Sequence, residues 1–141
     1  MKREAGIDVL LVEDSECDAE LAMRTLRRQQ LADRVVHVVD GQMALDWFFG
    51  PSGGAHHPKL VLLDLKLPKA DGLEVLGALR SHESTRSLPV VVLTSSMEDR
   101  DLRNCYRLGA NSYVVKPTSF DDYCAAVAEL TRYWLLLNKK D

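Results

Sequence analysis

Acidic, hydroxyl and basic side chains stand at the carboxyl ends of four short apolar segments. Glu13 and Asp14 follow IDVLLV, Asp64 follows LVLL, Thr94 follows VVVL, and Lys116 follows YVV. Carboxylates packed together repel one another unless a cation lies between them. Oxygen ligands at this density suit Mg²⁺, which takes one or two carboxylates together with phosphate oxygens. These strand-end residues therefore predict a magnesium site that binds a phosphoryl group.

Within that set, we expect Asp64 to be the nucleophile, because a carboxylate can form an aspartyl phosphate. Lys116 could contact the phosphoryl oxygens as a point charge, and Thr94 could donate a hydroxyl hydrogen bond to one of them. Phosphoryl transfer is catalysed largely by such positioning and charge neutralisation.

The apolar segments are predicted to be strands near 7–12, 35–39, 60–64, 90–94 and 112–115. They are rich in Val, Ile and Leu and most lack clean alternation, which indicates strands buried on both faces of a parallel sheet. Segments of helical period lie between them, and a last helix is expected near 119–137. Alternating strands and helices predict an α/β fold, a (βα)₅ doubly wound parallel five-stranded sheet, as one domain over 1–141. Ligands of such sheets bind at the carboxyl ends of the strands.

Composition narrows the class of protein. The net charge of −3 lacks the basic footprint of a nucleic-acid binder, and no apolar stretch approaches the roughly 18 residues of a membrane span. The three cysteines show no CxxC spacing and are expected to be reduced thiols. We therefore expect a cytoplasmic protein with no direct nucleic-acid binding and no membrane insertion.

Five motifs, in order, resemble the receiver domain of two-component response regulators. They are Leu11-Val12-Glu13-Asp14, LLDLKLP at 62–68 with Asp71-Gly72, Val92-Leu93-Thr94-Ser95, Gly109-Ala110 and Lys116-Pro117. The spacing is 50 residues from Asp14 to Asp64, 30 to Thr94 and 22 to Lys116. The resemblance covers nearly the whole chain and implies the flavodoxin-like receiver fold.

The resemblance implies a metal-binding role for four residues. Asp64 would be the phosphoacceptor, and Asp14 and Asp64 would bind Mg²⁺ directly. The backbone carbonyl of Lys66 would be a third ligand, and Glu13 would act through water.

The resemblance also implies how the phosphoryl group is held and sensed. Thr94, Ser95 and Lys116 would belong to the phosphoryl-binding and switch set. Tyr113 would be the aromatic that moves inward when Thr94 moves toward the phosphate. The Lys116–Pro117 bond would be cis, which the sequence permits because cis bonds are largely confined to X–Pro.

The implied function is a phospho-accepting response regulator of a two-component or phosphorelay system. Its donor would be a phosphohistidine on a sensor histidine kinase. Only 25 residues follow Lys116, so we expect no output domain and signalling by protein contact. The Gly/His-containing loop at 50–58, the Leu-Asp-Leu-Lys-Leu-Pro run and the Tyr133-Trp134-Leu135 ending resemble stand-alone receivers that serve bacteriophytochrome-type kinases.

The last helix carries more apolar residues than one buried stripe can hold. Tyr133, Trp134, Leu135 and Leu136 are therefore candidates for a partner interface, although a partly covered helix end is the alternative. The family resemblance implies a homodimer through the fourth helix, fifth strand and fifth helix.

Other interpretations remain open for single residues and for the whole chain. Asp14 alone could cap a helix, Lys116 could be solvated, and Tyr113 could be a half-buried strand aromatic. An Mg²⁺-dependent aspartyl-phosphate hydrolase of the haloacid-dehalogenase kind would need a second Asp where Lys66 stands. A phosphorylation-independent protein-binding module would not need the acceptor groups. A flavodoxin-like cofactor carrier would not place the acidic turn 13–16 after the first strand.

Overall fold

Five parallel strands form one sheet in the order β2-β1-β3-β4-β5. The computed structural model describes residues 6–30, 34–51 and 57–139. The strands are β1 Val9–Val12, β2 Val35–Val38, β3 Leu60–Leu63, β4 Val90–Thr94 and β5 Ser112–Val115. Every residue of β1, β3 and β4 is buried, whereas the edge strands β2 and β5 are mostly half-buried. The predicted doubly wound α/β fold is confirmed.

A helix follows each strand. The helices are α1 Glu16–Gln29, α2 Gly41–Phe49, α3 Gly72–Ser81, α4 Asp99–Arg107 and α5 Phe120–Arg132. Ser15, Asp40, Asp71 and Ser119 cap four of them, each with a side-chain oxygen that accepts a backbone N–H of the first turn. Such caps each contribute about 1 kcal/mol and fix where a helix begins. Each helix therefore begins after a loop of two to eight residues beyond the carboxyl end of its strand.

The sheet separates two half-cores. On one face α2, α3 and α4 contribute Phe48, Leu76 and Cys105 to a buried cluster. On the other face α1 and α5 contribute Leu26 and Val127. Strands that are covered on both faces have nearly continuous apolar sequences, and this pattern allowed the strands to be predicted.

The chain beyond α5 changes its helical geometry. Residues Tyr133–Leu137 form a π-helical turn within the predicted last helix. Trp134 and Leu135 pack against the half-core of α1 and α5. Tyr133 and Leu136 are exposed, at 46% and 55%. Two of the four predicted interface residues, Trp134 and Leu135, are thus partly buried against the chain's own core.

The Lys116–Pro117 peptide bond is trans, so the cis bond implied by the family resemblance is wrong. No cis peptide bond occurs in the described ranges 6–30, 34–51 and 57–139. The trans form of an X–Pro bond is favoured by about 0.5–1 kcal/mol. The residue pair permits either isomer, and sequence alone could not decide between them.

Two further expectations concern the chain's surface. Of the predicted loop at 50–58, residues 52–56 lie outside the described residues. Over the part of the chain that the structure describes, no helix has both the length and the apolar character needed to cross a membrane.

The first residue of α3 has no room for a side chain. A Cβ at Gly72 would lie within contact of the Asp64 carbonyl oxygen and 2.7 Å from the Leu65 Cα. The Gly72 N–H donates to the Leu65 carbonyl at 2.8 Å. Glycine thus allows α3 to start directly against the backbone of Asp64.

We therefore expect Gly72→Ala to destabilise the protein by about 1–3 kcal/mol, the usual cost of overpacking. Gly77 lies inside the same helix, and a methyl group added there would meet nothing within 4 Å. Gly77→Ala should stabilise the protein by about 0.5–1 kcal/mol. Urea unfolding of both variants tests this; equal effects would contradict the close approach at Gly72.

Candidate functional site

The ammonium group of Lys116 lies at the centre of an acidic site. Its Nζ is 2.8 Å from Glu13 Oε1, 2.8 Å from Asp18 Oδ2 and 3.2 Å from Asp64 Oδ2. A lysine has three N–H donors, so each can serve one carboxylate. The Lys116 side chain is 10% exposed, and water therefore screens these contacts little.

The sheet brings these groups together from distant parts of the chain. Glu13 follows β1, Asp64 follows β3 and Lys116 follows β5. Parallel pairing continues to the edge, where the Asp64 N–H donates to the Val12 carbonyl at 3.1 Å and the Lys116 N–H to the Thr94 carbonyl at 2.7 Å. The strands' shared register therefore fixes the site.

Asp64 is held through both of its carboxylate oxygens. Oδ1 accepts the backbone N–H of Leu65 at 2.7 Å, and Oδ2 faces Lys116. The residue is buried. A carboxylate held from two sides has few conformations left to it.

Three carboxylates form a cluster suited to a metal ion. Glu13, Asp14 and Asp64 each offer one oxygen, and these oxygens lie within 4.8 Å of one another. Asp14 is exposed, whereas the other two are buried. Asp14 and Lys66 also line a cleft of about 470 Å³. Carboxylate oxygens open to water fit a hard divalent cation.

Burial shapes the charges of the site. Burial raises the pKa of Glu13 to about 7, aided by the charge of Asp64 and opposed by the hydrogen bond from Lys116. Burial also opposes the charged form of Lys116, but hydrogen bonds to Asp18 and Glu13 outweigh it and raise the lysine's pKa. Lys116 therefore remains a cation while Glu13 titrates near neutral pH.

The predicted switch residues occupy the neighbouring strand ends. Thr94 is fully buried, and its Oγ1 accepts the Ser96 N–H at 3.3 Å. The half-buried Tyr113 donates its hydroxyl to the Ser96 carbonyl at 2.9 Å. Ser95 is exposed. Thr94 and Tyr113 are thus linked through Ser96 rather than through Ser95.

The predicted site residues do not include Asp18, Ser96 or Asp101. Asp18 stands in the first turn of α1, where an acidic residue usually indicates capping and charge–dipole effects. Ser96 Oγ donates to the buried Asp101 at 2.6 Å. Asp14 lies before Ser15, the cap of α1, and so does not share a helix with Asp18. The sequence therefore held no signal that set Asp18 apart from an ordinary acidic residue of a first helical turn.

Comparison with known proteins decides the family. Residues 9–128 match the family described as the response regulator receiver domain. The chain belongs to that family. This receiver is 46% identical over 132 residues to a probable methanogenesis regulatory protein, FilR2, of Methanothrix harundinacea, covering 93% of this chain and 85% of FilR2.

Solved receivers share the fold over almost the whole chain. The phosphorylated cyanobacterial phytochrome response regulator RcpA has a TM-score of 0.88 at 32% identity, covering 96% of this chain and 98% of RcpA. The Mn²⁺-bound form of response regulator Rcp1 has a TM-score of 0.87 at 33% identity, with 96% and 99% covered. The bacteriophytochrome response regulator RtBRR has a TM-score of 0.73 at 44% identity, with 97% and 85% covered.

Membership gives the acidic cluster its context. Receivers bind a divalent metal in an acidic pocket and act in two-component signalling. The chain is a signalling receiver of this kind, and Glu13, Asp14 and Asp64 form its acidic pocket.

The raised pKa of Glu13 predicts a pH dependence of stability in metal-free protein. Because the folded-state pKa of about 7 exceeds the ordinary 4.5, the folded state binds the proton more tightly than the unfolded state. That contribution to stability is complete below about pH 4.5 and is lost as pH rises through about 7.

Glu13→Gln carries the neutral form at every pH and should not lose this contribution. We expect the variant's stability relative to wild type to rise between pH 4.5 and 8, by on the order of 3 kcal/mol. Urea unfolding with chelator present measures the difference. A difference that does not change with pH would contradict the raised pKa.

Proposed function

We propose that this receiver accepts a phosphoryl group on Asp64 from a phosphohistidine of a sensor histidine kinase, with Mg²⁺ as the metal. The carrying observation is the 3.2 Å contact between Lys116 Nζ and Asp64 Oδ2, beside the acidic cluster. It places a fixed cation where negative charge arrives.

Four residues would hold the metal. Asp14 and Asp64 would bind it directly, the backbone carbonyl of Lys66 would add a ligand, and Glu13 would act through water. Mg²⁺ prefers a few carboxylates while retaining several waters, which suits a cluster open at Asp14. When bound, the metal would neutralise charge on the transferred group.

The protein's own groups position the reaction. An Asp64 carboxylate oxygen forms the new bond to phosphorus, the phosphorus–nitrogen bond of the donor breaks, and its electron pair returns to the imidazole nitrogen. Lys116 and the Thr94 hydroxyl contact the phosphoryl oxygens, with Ser95 beside them at the strand end. Stabilising this charge is the main work in phosphoryl transfer.

Ser96 offers a route from the acceptor to the surface. Its N–H contacts Thr94 and its carbonyl accepts the Tyr113 hydroxyl. If Thr94 moves toward the phosphate, the Ser96 contacts must adjust and Tyr113 is released to move inward. The phosphoryl group thereby biases two arrangements of an existing structure.

The proposed kinase is of the phytochrome type. Phytochrome response regulators are among the structures to which this chain is similar, and a relay step onward from Asp64 belongs to the same proposal.

The proposed location is the cytoplasm, where the free Cys17, Cys105 and Cys124 remain reduced. Chemistry is confined to self-phosphorylation and self-dephosphorylation, because the exposed Lys66 stands where a hydrolase needs its general acid.

The proposed homodimer uses the face formed by α4, β5 and α5. Exposed apolar side chains lie along it: Leu102, Tyr106, Val115 and Phe120. Phe120 is 65% exposed. Apolar side chains gathered on one face often mark a protein contact. Tyr133 and Leu136, in the turn that follows α5, are further exposed apolar side chains.

Labelling tests the acceptor. With acetyl phosphate and Mg²⁺, wild type should gain the mass of one phosphoryl group, and Asp64→Asn should gain none because the nucleophile is lost. Asp71→Asn is the matched control, since Asp71 lines the cleft with Asp14 and Lys66 but caps α3, and Asn caps equally well. Undiminished labelling of Asp64→Asn would contradict the assignment of Asp64 as the phosphoacceptor.

Light scattering tests the dimer. With Mg²⁺ and beryllofluoride, wild type should have the mass of a dimer, and Phe120→Glu should be monomeric because a charge is buried without a partner. Met43→Glu changes an equally apolar exposed site, 43% exposed, on α2 and should leave the dimer intact. A wild-type monomer in both the free and beryllofluoride-bound states would contradict this interface.

A further inference from the structure

Asp18 is a fourth carboxylate at the site and lies outside the metal cluster. Its Oδ2 accepts a hydrogen bond from Lys116 Nζ at 2.8 Å, shorter than the 3.2 Å between Lys116 and Asp64. The Asp18 side chain is 30% exposed. Lys116 is therefore held on the α1 side of the site at least as closely as on the acceptor side.

The position of Asp18 is built into the contact between α1 and α5. Its backbone N–H donates to the Ser15 hydroxyl, which caps α1, at 3.3 Å. Its carbonyl accepts the hydroxyl of the buried Tyr123 of α5 at 3.2 Å. Because backbone groups make both contacts, the carboxylate is free to serve Lys116 alone.

All three N–H donors of Lys116 are occupied by Glu13, Asp18 and Asp64. A phosphoryl group on Asp64 brings about −1.5 to −2 of charge and new acceptor oxygens. Lys116 can approach those oxygens only to the extent that its other carboxylate contacts allow. Charge-assisted hydrogen bonds are the strong ones, so Asp18 competes directly with the phosphoryl group.

We propose that Asp18 is a positioning residue that holds Lys116 as a competing counter-ion and so weakens the engagement of Lys116 with a phosphoryl group on Asp64. This inference rests on the proposed phosphoacceptor function. It makes Asp18 a determinant of how tightly the phosphoryl group is held, acting through Lys116 and without touching the metal or the phosphate.

The test compares Asp18→Asn with Glu16→Gln. Both changes remove one negative charge from the first turn of α1, and Asn keeps the size and the backbone contacts of Asp18. Glu16 is exposed and has no contact with Lys116 in the described structure. The pair therefore separates loss of the charged contact with Lys116 from loss of net charge.

The first measurement needs neither metal nor phosphate. A ¹H–¹⁵N spectrum of lysine ammonium groups, with the Lys116 signal assigned by its absence from Lys116→Arg, reports hydrogen bonding at Nζ. Wild type and Glu16→Gln should show the signal. In Asp18→Asn it should broaden, because a neutral amide oxygen holds the ammonium protons less tightly than a carboxylate and they exchange faster with water. An unchanged signal would overturn the role of Asp18.

The second measurement is the affinity for beryllofluoride with Mg²⁺, followed by calorimetry. Asp18→Asn should bind more tightly by about threefold to tenfold, less than a fully buried charged hydrogen bond because Asp18 is partly exposed. Equal effects of the two variants would overturn the inference. Failure of wild type to bind beryllofluoride would instead overturn the acceptor proposal, while the ammonium spectrum still decides the Asp18–Lys116 contact.

Discussion

The ammonium group of Lys116 is the interaction on which the site depends. It stands among carboxylates that follow β1 and β3 and one from α1. Without a cation, Glu13 and Asp64 would be buried acids side by side, and the unpaired burial of charge is costly. One lysine after β5 thus lets the sheet gather acidic groups at a single edge. The same lysine also connects the edge strand β5 and the first turn of α1 to Asp64 through its hydrogen bonds.

The fold supplies the favourable apolar burial that the Lys116 cation cannot provide. Two apolar half-cores cover the sheet, and their burial offsets the cost of an acidic site at about 25 cal/mol for each Å² removed from water. Helix caps at Ser15 and Asp71 begin α1 and α3 beside the site. Gly72 lets α3 touch the backbone of the acceptor. The apolar half-cores therefore supply most of the favourable burial, whereas the edge of the sheet carries close charges whose balance a metal or a phosphoryl group can change.

Sequence predicted the parts of this molecule that depend on periodic patterns. Leu60–Leu63 could be recognised as a strand because both its faces are apolar, and the order of Asp14, Asp64, Thr94 and Lys116 placed them at one edge. Asp18 escaped recognition because an acidic residue in a first helical turn has an ordinary local explanation. The Lys116–Pro117 pair is compatible with either isomer, and no local pattern predicted the π-helical turn at Tyr133–Leu137. The Ser96 contacts depend on how β4 and β5 lie together.

The division of the core has an optical consequence. The chain has two tryptophans; Trp47 packs against the half-core of α2, α3 and α4, and Trp134 against the half-core of α1 and α5. Each indole reports one side of the sheet. Replacing either one with Phe leaves a single tryptophan, so tryptophan fluorescence can tell whether the two sides of the sheet loosen together or in turn.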